Sequence, residues 1–492
     1  MSETRIPSGV AGLDQVLKGG FISESAYLVR GGPGTGKTTL GLQFLYDGAS
    51  NGENTLFITL SEPESKIRGD GVKKGLDMDN INFLDLTPSS DFAGDDMSYN
   101  IFSSDEVENL PILQKISEKI NAVNPNRILI DGITQLRFVS PDVYQFRKQI
   151  VSLIKLATGK GGTMLMLSEA SNAVNDDDLQ FMSDGVIDLE FSGEERGIRV
   201  VKFRGSDFQY GSHSFRLKGD GMIIFPKLDP RESVKDFTFE TISSGIPELD
   251  ELLGGGVEKG TTTLISGPTG VGKTTLGTQF LKEASGRGEC SVIYTFEENQ
   301  ESLINRCEAI NIPIRKMIEK EKLFIDKINP LDYTPDEFSY LVRNRVEGTG
   351  ADIVMLDGIS GYLVSFGADE GGDKKMLRHL HSLSAYLKNM GVTLILTNEV
   401  HNITGDLKVS EYGISHIADN IIFLRYLEIK GELRKAIGIL KKRMGDFEKN
   451  LRELDITKYG LKVGTPLSKI QGMLTGNLEF VEDKIDHKDG DY

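Results

Sequence analysis

The sequence is short of cysteine, of proline and of positive charge. Two cysteines in 492 residues, Cys290 and Cys307, cannot build a disulfide framework or a structural zinc site of their own. Their scarcity fits a reducing compartment. No run of about 18 apolar residues occurs, which excludes a membrane-spanning helix. The opening MSETRIPSGV has no apolar core of a secretory signal, so a cytoplasmic location is expected. Fifteen prolines against 55 glycines speak for tight turns, not a Pro-rich disordered chain. Lys+Arg 56 against Asp+Glu 73 leaves a net charge of −17. An acidic surface of that size argues against a whole-protein grip on nucleic acid or anionic membrane. What is present is ordinary for a soluble globular protein, with 38% hydrophobic and 26% charged residues. At about 150 residues per domain the length allows two to four domains.

The chain contains itself twice. Residues 6–67 align without gaps on residues 242–303, at a constant offset in sequence. Gly9, Leu13, Asp14, Gly19 and Gly20 recur as Gly245, Leu249, Asp250, Gly255 and Gly256. Looser matches follow: NRILIDGITQL with ADIVMLDGISGY, and VVKFRGSDF with GILKKRMGDF. Such a repeat is too long for a solenoid unit and implies two homologous domains, 1–230 and 231–465. Residues 466–492 read as a polar, disordered tail. Within each unit short apolar runs (AYLVRG, TLFITL, RILIDG, TMLMLS) alternate with amphipathic helical segments. That alternation predicts an α/β fold, a mainly parallel twisted sheet with helices on both faces.

Each unit carries G-x-x-x-x-G-K-T between a predicted strand and a predicted helix. The first runs from Gly31 to Thr38 and the second from Gly267 to Thr274. Glycines at Gly34, Gly36, Gly270 and Gly272 let the backbone curl around a phosphate, with Thr35 and Val271 between them. The helix that opens at Thr38–Thr39 or Thr274–Thr275 adds its positive end. Lys37 and Lys273 reach the outer phosphates, and the Thr38 and Thr274 hydroxyls can ligate Mg2+. ATP and Mg2+ are therefore the expected ligands. Asp131 and Asp357 end later strands, where a carboxylate can hold Mg2+ or its water.

A base to activate water is unequally provided. The strand SVIYTF is followed by Glu297 and Glu298, whereas the aligned residues of the first unit are Ser61 and Glu62. A serine is a poor base near neutral pH. Neighbours on a strand point to opposite faces, so Glu62 does not simply replace the missing group.

Together these residues resemble the RecA-superfamily P-loop ATPases, and in particular the tandem-domain KaiC family of the circadian clock. The opening S-G-x-x-x-L-D, both phosphate loops, the Glu pair and the late YLEIKGELRKAIGILKKR carry the resemblance over nearly the whole chain. It implies two RecA-like domains, a double-ring hexamer and nucleotide held between neighbouring subunits. It also implies that Lys202 and Arg204, and Lys441 and Arg443, reach the phosphates of the adjacent copy. Clock members phosphorylate an adjacent Ser and Thr in the second domain. Here the pair is Ser415 and His416, so one acceptor remains, with Glu297 as its base.

Other features read plainly. His379 and His381 stand at i, i+2 of a helix and share no face, while His213, His401 and His487 lack ligand-spaced partners. The run Asp176-Asp177-Asp178 reads as a solvated loop. The expected function is a ring-forming Mg-ATP hydrolase that switches partners, with possible serine autophosphorylation. A DNA-dependent recombinase or ring helicase competes, but the charge and the loops NAVNDDDLQ and HNITGDLKVSEYG speak against it. A nucleotide-sensing scaffold is the third reading, made credible for the first domain by Ser61. The signalling partner is not identifiable from the sequence.

Overall fold

A computed structural model describes residues 4–87, 110–138, 140–169, 176–193, 195–232, 234–363, 366, 372–400, 413–429, 431–468, 470–471 and 479–480. The chain divides into two compact units, Met1–Lys227 and Leu228–Tyr492. Each is built on one mixed nine-stranded sheet.

In the first unit the strands Gly185–Phe191, Ala26–Gly31, Thr163–Glu169, Arg127–Asp131, Thr55–Thr59 and Asn82–Asp85 lie side by side and parallel. Three antiparallel strands, Arg196–Phe203, Ser212–Lys218 and Gly221–Phe225, extend one edge. The central parallel strands are buried on both faces, and alternate residues serve different layers. Tyr27 and Val29 pack with Leu40 and Phe44 of the helix Lys37–Ser50. Ala26 and Leu28 pack with Ile116, Phe146 and Ile150 from the helices Leu110–Val123 and Val143–Thr158. This is why the strands read as continuous apolar runs instead of alternating ones. The second unit repeats the plan. Its parallel strands are Leu323–Lys327, Ser291–Thr295, Ile353–Asp357, Thr393–Glu399, Thr262–Gly267 and Asn420–Ile429. Both units are thus RecA-like α/β domains. Among the described residues no helix is long and apolar enough to cross a membrane.

Two segments differ from their sequence reading. Asp176-Asp177-Asp178 is not a solvated loop. Asp177 opens the helix Asp177–Met182, while Asp176 and Asp178 are buried. Asp176 accepts from Arg30 Nε at 3.0 Å and Ser168 Oγ at 2.9 Å. Asp178 accepts from Arg137 at 3.1 Å and Arg147 at 2.6 Å. Buried carboxylates need such partners, and these arginines lie too far away in sequence for spacing to reveal them. In the segment read as a tail, Ile470–Gln471 pairs with Glu479–Phe480, whereas 481–492 lies outside the described residues.

Two of the histidines, His379 and His213, have structural roles. His379 bridges Ser339 Oγ at 2.8 Å and Tyr362 Oη at 2.7 Å. His401 and His487 lie outside the described residues. His213 is wholly buried, and its Nδ1 accepts the Lys227 amide at 2.9 Å while Nε2 faces the Gln209 carbonyl at 3.2 Å. A neutral ring satisfies both partners. Burial, the largest cause, lowers its pKa from 6.5 to about 4. The stability this neutral ring supplies is complete above 6.5 and fades as pH falls towards 4. We expect the stability gap between the parent and His213→Gln to narrow by about 2 kcal/mol between neutrality and roughly pH 5. Urea unfolding at both pH values measures it; a gap that stays constant would refute the assignment.

Candidate active site

The two phosphate loops have the same local cause and nearly the same shape. Each leaves the end of a central strand and turns through glycines in the left-handed region, with φ of 71° and 99° at Gly34 and Gly36, and 74° and 116° at Gly270 and Gly272. A side chain at these positions would strain the curl that turns backbone N–H groups inward. Helices Lys37–Ser50 and Lys273–Gly286 then begin. Thr35 Oγ1 donates to the Gly32 carbonyl at 2.9 Å, whereas Val271 is buried in the core. Thr39 and Thr275 are buried in the first helical turn. Lys37 Nζ donates to the carbonyls of Gly31 and Gly32 at 2.8 and 2.9 Å, and Lys273 Nζ to those of Gly267 and Pro268, both at 2.9 Å. The ammonium of each lysine is thereby held over its own loop. Burial lowers the pKa of both, and nearby carboxylates oppose the shift.

Thr38 and Asp131 meet, as do Thr274 and Asp357. Thr38 Oγ1 donates to Asp131 Oδ2 at 2.9 Å, and Thr274 Oγ1 to Asp357 Oδ1 at 2.8 Å. Thr397 Oγ1 adds a second hydroxyl to Asp357 at 2.8 Å. Both carboxylates are buried, and desolvation raises their pKa values against these hydrogen bonds. A hydroxyl beside a poorly hydrated carboxylate fits a cation that keeps most of its other positions for phosphate oxygens and water. Mg2+ binds in that way.

The Glu pair separates into two roles. Glu297 lies over Gly358, where an added Cβ would stand 3.2 Å from its Cδ and Oε1. Loss of hydration, the largest cause, raises its pKa, and Glu399 and Asp357 raise it further against Lys273. It therefore shares the electrostatic field of the loop lysine and of Asp357. Glu298 turns to a different set of partners, accepting from Arg306 at 2.5 Å and Ser302 at 2.9 Å. Its counterpart Glu62 pairs with Lys66 at 2.6 Å. Ser61 takes the place of Glu297, standing over Gly132.

The paired cations occupy the other end of the sheet. The Arg204 amide donates to Asp184, whose amide donates to Ala26, the first residue of its strand. The Arg443 amide likewise reaches Asp419, and Asp419 reaches Thr262. The phosphate loops leave these same strands five residues later, about 16 Å away at the rise of a β-strand. Lys202 Nζ donates to the carbonyls of Gln180 and Ser183 at 2.9 and 2.6 Å, and Lys441 Nζ to those of Ser415 and Ala418 at 3.3 and 2.6 Å. Arg443 pairs with Asp419 at 3.0 Å. Ser415 sits in the short turn Ile414–His416 on this far edge.

Sequence reasoning missed Glu169 and Glu399. They end the strands Thr163–Glu169 and Thr393–Glu399, and each acts electrostatically on its loop lysine. Thr269 Oγ1 also donates to Glu399. The recurrence of a glutamate after TMLMLS and after TLILTN was the available signal.

Fold and loops define a protein with two tandem RecA-like P-loop ATPase domains. The family model "ATPase: KaiC" matches residues 6–229 and again 242–468, and the chain belongs to that family. It is 29% identical to the "Circadian clock oscillator protein KaiC" of Prochlorococcus marinus subsp. pastoris, over 97% of this chain and 94% of the relative. It is 26% identical to the "Circadian clock protein KaiC3" of Synechocystis sp., over 96% and 94% respectively.

Proposed function

We propose that the chain is a cytoplasmic, ring-forming Mg-ATPase whose assembly depends on nucleotide and which acts as a switch on a protein partner. The placement of Arg204 and Arg443 carries this reading. They stand at the opposite sheet edge from the loops of their own units, beyond the reach of an arginine side chain. Phosphates within their reach would be those of another copy. A cation supplied across an interface stabilises the charge of a transferring phosphoryl group and links turnover to assembly. Mg2+ would be held by Thr38 with Asp131 and by Thr274 with Asp357, and supplies a Lewis acid at the outer phosphates.

A ligand that binds only the assembled form stabilises it by mass action. Light scattering should therefore give a species near six copies with Mg-ATP and smaller species without it. Arg443→Ala should weaken that response. A monomer at micromolar protein and saturating ATP would sink the proposal.

Ser415 stands beside Lys441 on the far edge, so its hydroxyl would meet the γ-phosphate of a neighbouring copy. Glu297 of that copy would take the serine proton as the Ser415 oxygen bonds to phosphorus and ADP departs with the electrons of the broken bond. Intact-mass analysis after Mg-ATP treatment should show one added phosphate, mapped to Ser415 and absent in Glu297→Gln. Phosphate elsewhere, or none in the assembled protein, leaves hydrolysis alone.

A further inference from the structure

The two units differ at a second position, close to the first. The pairing Thr59 with Asp131 and Thr295 with Asp357 makes Ser61 and Glu297 equivalent, as it does Gln135 and Gly361, each four residues past its aspartate. In the first unit a Cβ on Gly132 would lie 3.3 Å from Ser61 Cβ and 3.5 Å from Gln135 Cγ. In the second unit the matching space over Gly358 holds Glu297, and a Cβ on Gly361 would lie 3.0 Å from Phe296 Cβ and 3.5 Å from Glu297 Cγ. Where the strand supplies a long polar side chain the helix supplies none. Where the strand supplies only Ser61, the first residue of the helix Gln135–Phe138 supplies an exposed carboxamide.

We propose that Gln135 orients the attacking water at the first site, in the place that Glu297 takes at the second. This rests on the reading that the first unit binds and hydrolyses ATP. A carboxamide can accept a hydrogen bond from water through Oε1 and donate one through Nε2 to a phosphate oxygen. It cannot take the proton. The water oxygen bonds to the γ-phosphorus as the bond to the β–γ bridging oxygen breaks. ADP departs with that electron pair, and the water proton passes to a phosphate oxygen. The first site thus turns over by positioning alone, and more slowly than a site with a carboxylate base.

The test uses the full chain carrying Lys273→Ala, so that turnover reports the first site, with the affinity of a fluorescent ATP analogue measured in parallel. Adding Gln135→Ala should lower kcat by about tenfold or more while affinity stays within about twofold. Gln135→Glu should restore turnover. Ser61→Glu with Gln135→Gly should raise kcat above the parent, and Ser61→Glu alone, crowded by Gln135, should not. An unchanged kcat in Gln135→Ala, or a loss seen only in Glu62→Gln, overturns the proposal. If the Lys273→Ala chain binds nucleotide at the first site without turnover, the role of Gln135 falls and the ATP site stands. If it binds none there, both fall.

Discussion

Replacing Glu297 by glutamine is expected to lower phosphoryl chemistry at the second site by roughly 10²–10⁴-fold, the usual cost of losing a positioned general base. The change keeps size and hydrogen-bonding shape, so ATP affinity should hold. Glu297 is the one member of the Glu pair placed over Gly358 in the field of Lys273, whereas Glu298 is held by Arg306 and Ser302. Its raised pKa brings the carboxylate nearer to the working range of a base. Glu298→Gln should therefore cost less turnover than Glu297→Gln, and an effect on stability should accompany it. The two loop lysines extend the comparison. Lys37→Ala should leave most of the ATPase activity and Lys273→Ala only the slow remainder. Steady-state phosphate release, with assembly checked for each variant, decides the matter. The unequal-site reading would be wrong if Lys273→Ala kept most of the activity.

The largest expected effect on stability lies at Arg127. This arginine opens the strand Arg127–Asp131 and is fully buried. It pairs with Asp47 at 3.0 Å and Glu53 at 2.6 Å, donates to the carbonyls of Pro7 and Phe44, and lies over the Phe44 ring. Arg127→Met would fill much of the volume but leave Asp47 and Glu53 without their cation and two carbonyls without their donor. Breaking a fully buried pair costs about 3–5 kcal/mol; Asp47 and Glu53 keep 28% and 30% of their exposure, so water can reach them and about 2–3 kcal/mol is expected here. Urea unfolding should show that loss in the transition of the first unit. Adding Glu53→Gln should return part of it, because one of the stranded charges is then gone. A loss below about 1 kcal/mol would show that water or a neighbour replaces the guanidinium.

Much of this was legible in the sequence because it depends on local order. A phosphate loop needs glycines at fixed spacing, and a strand before it and a helix after it, all of which the sequence displays. The duplication exposed Ser61 against Glu297 because alignment places them at one position. Side chains that meet only through the sheet were harder to read. Asp176 finds Arg30 across adjoining parts of the fold, and the Thr397 hydroxyl reaches Asp357 from a neighbouring strand. That Gln135 and Ser61 both border Gly132 lay hidden for the same reason, since only the fold brings the turn after Asp131 back beside the end of Thr55–Thr59.

The hydrogen bond between His213 and the Lys227 amide has a mechanical meaning. Lys227 is the last residue of the first unit, and the backbone passes there into the second. Tension carried along the covalent chain from the second unit enters the first at that amide. It meets the imidazole before it meets the ladder that joins Ser214 to Phe225. His213 thus stands as the anchor of the tether, and a proton on its Nδ1 would release the rope without cutting it.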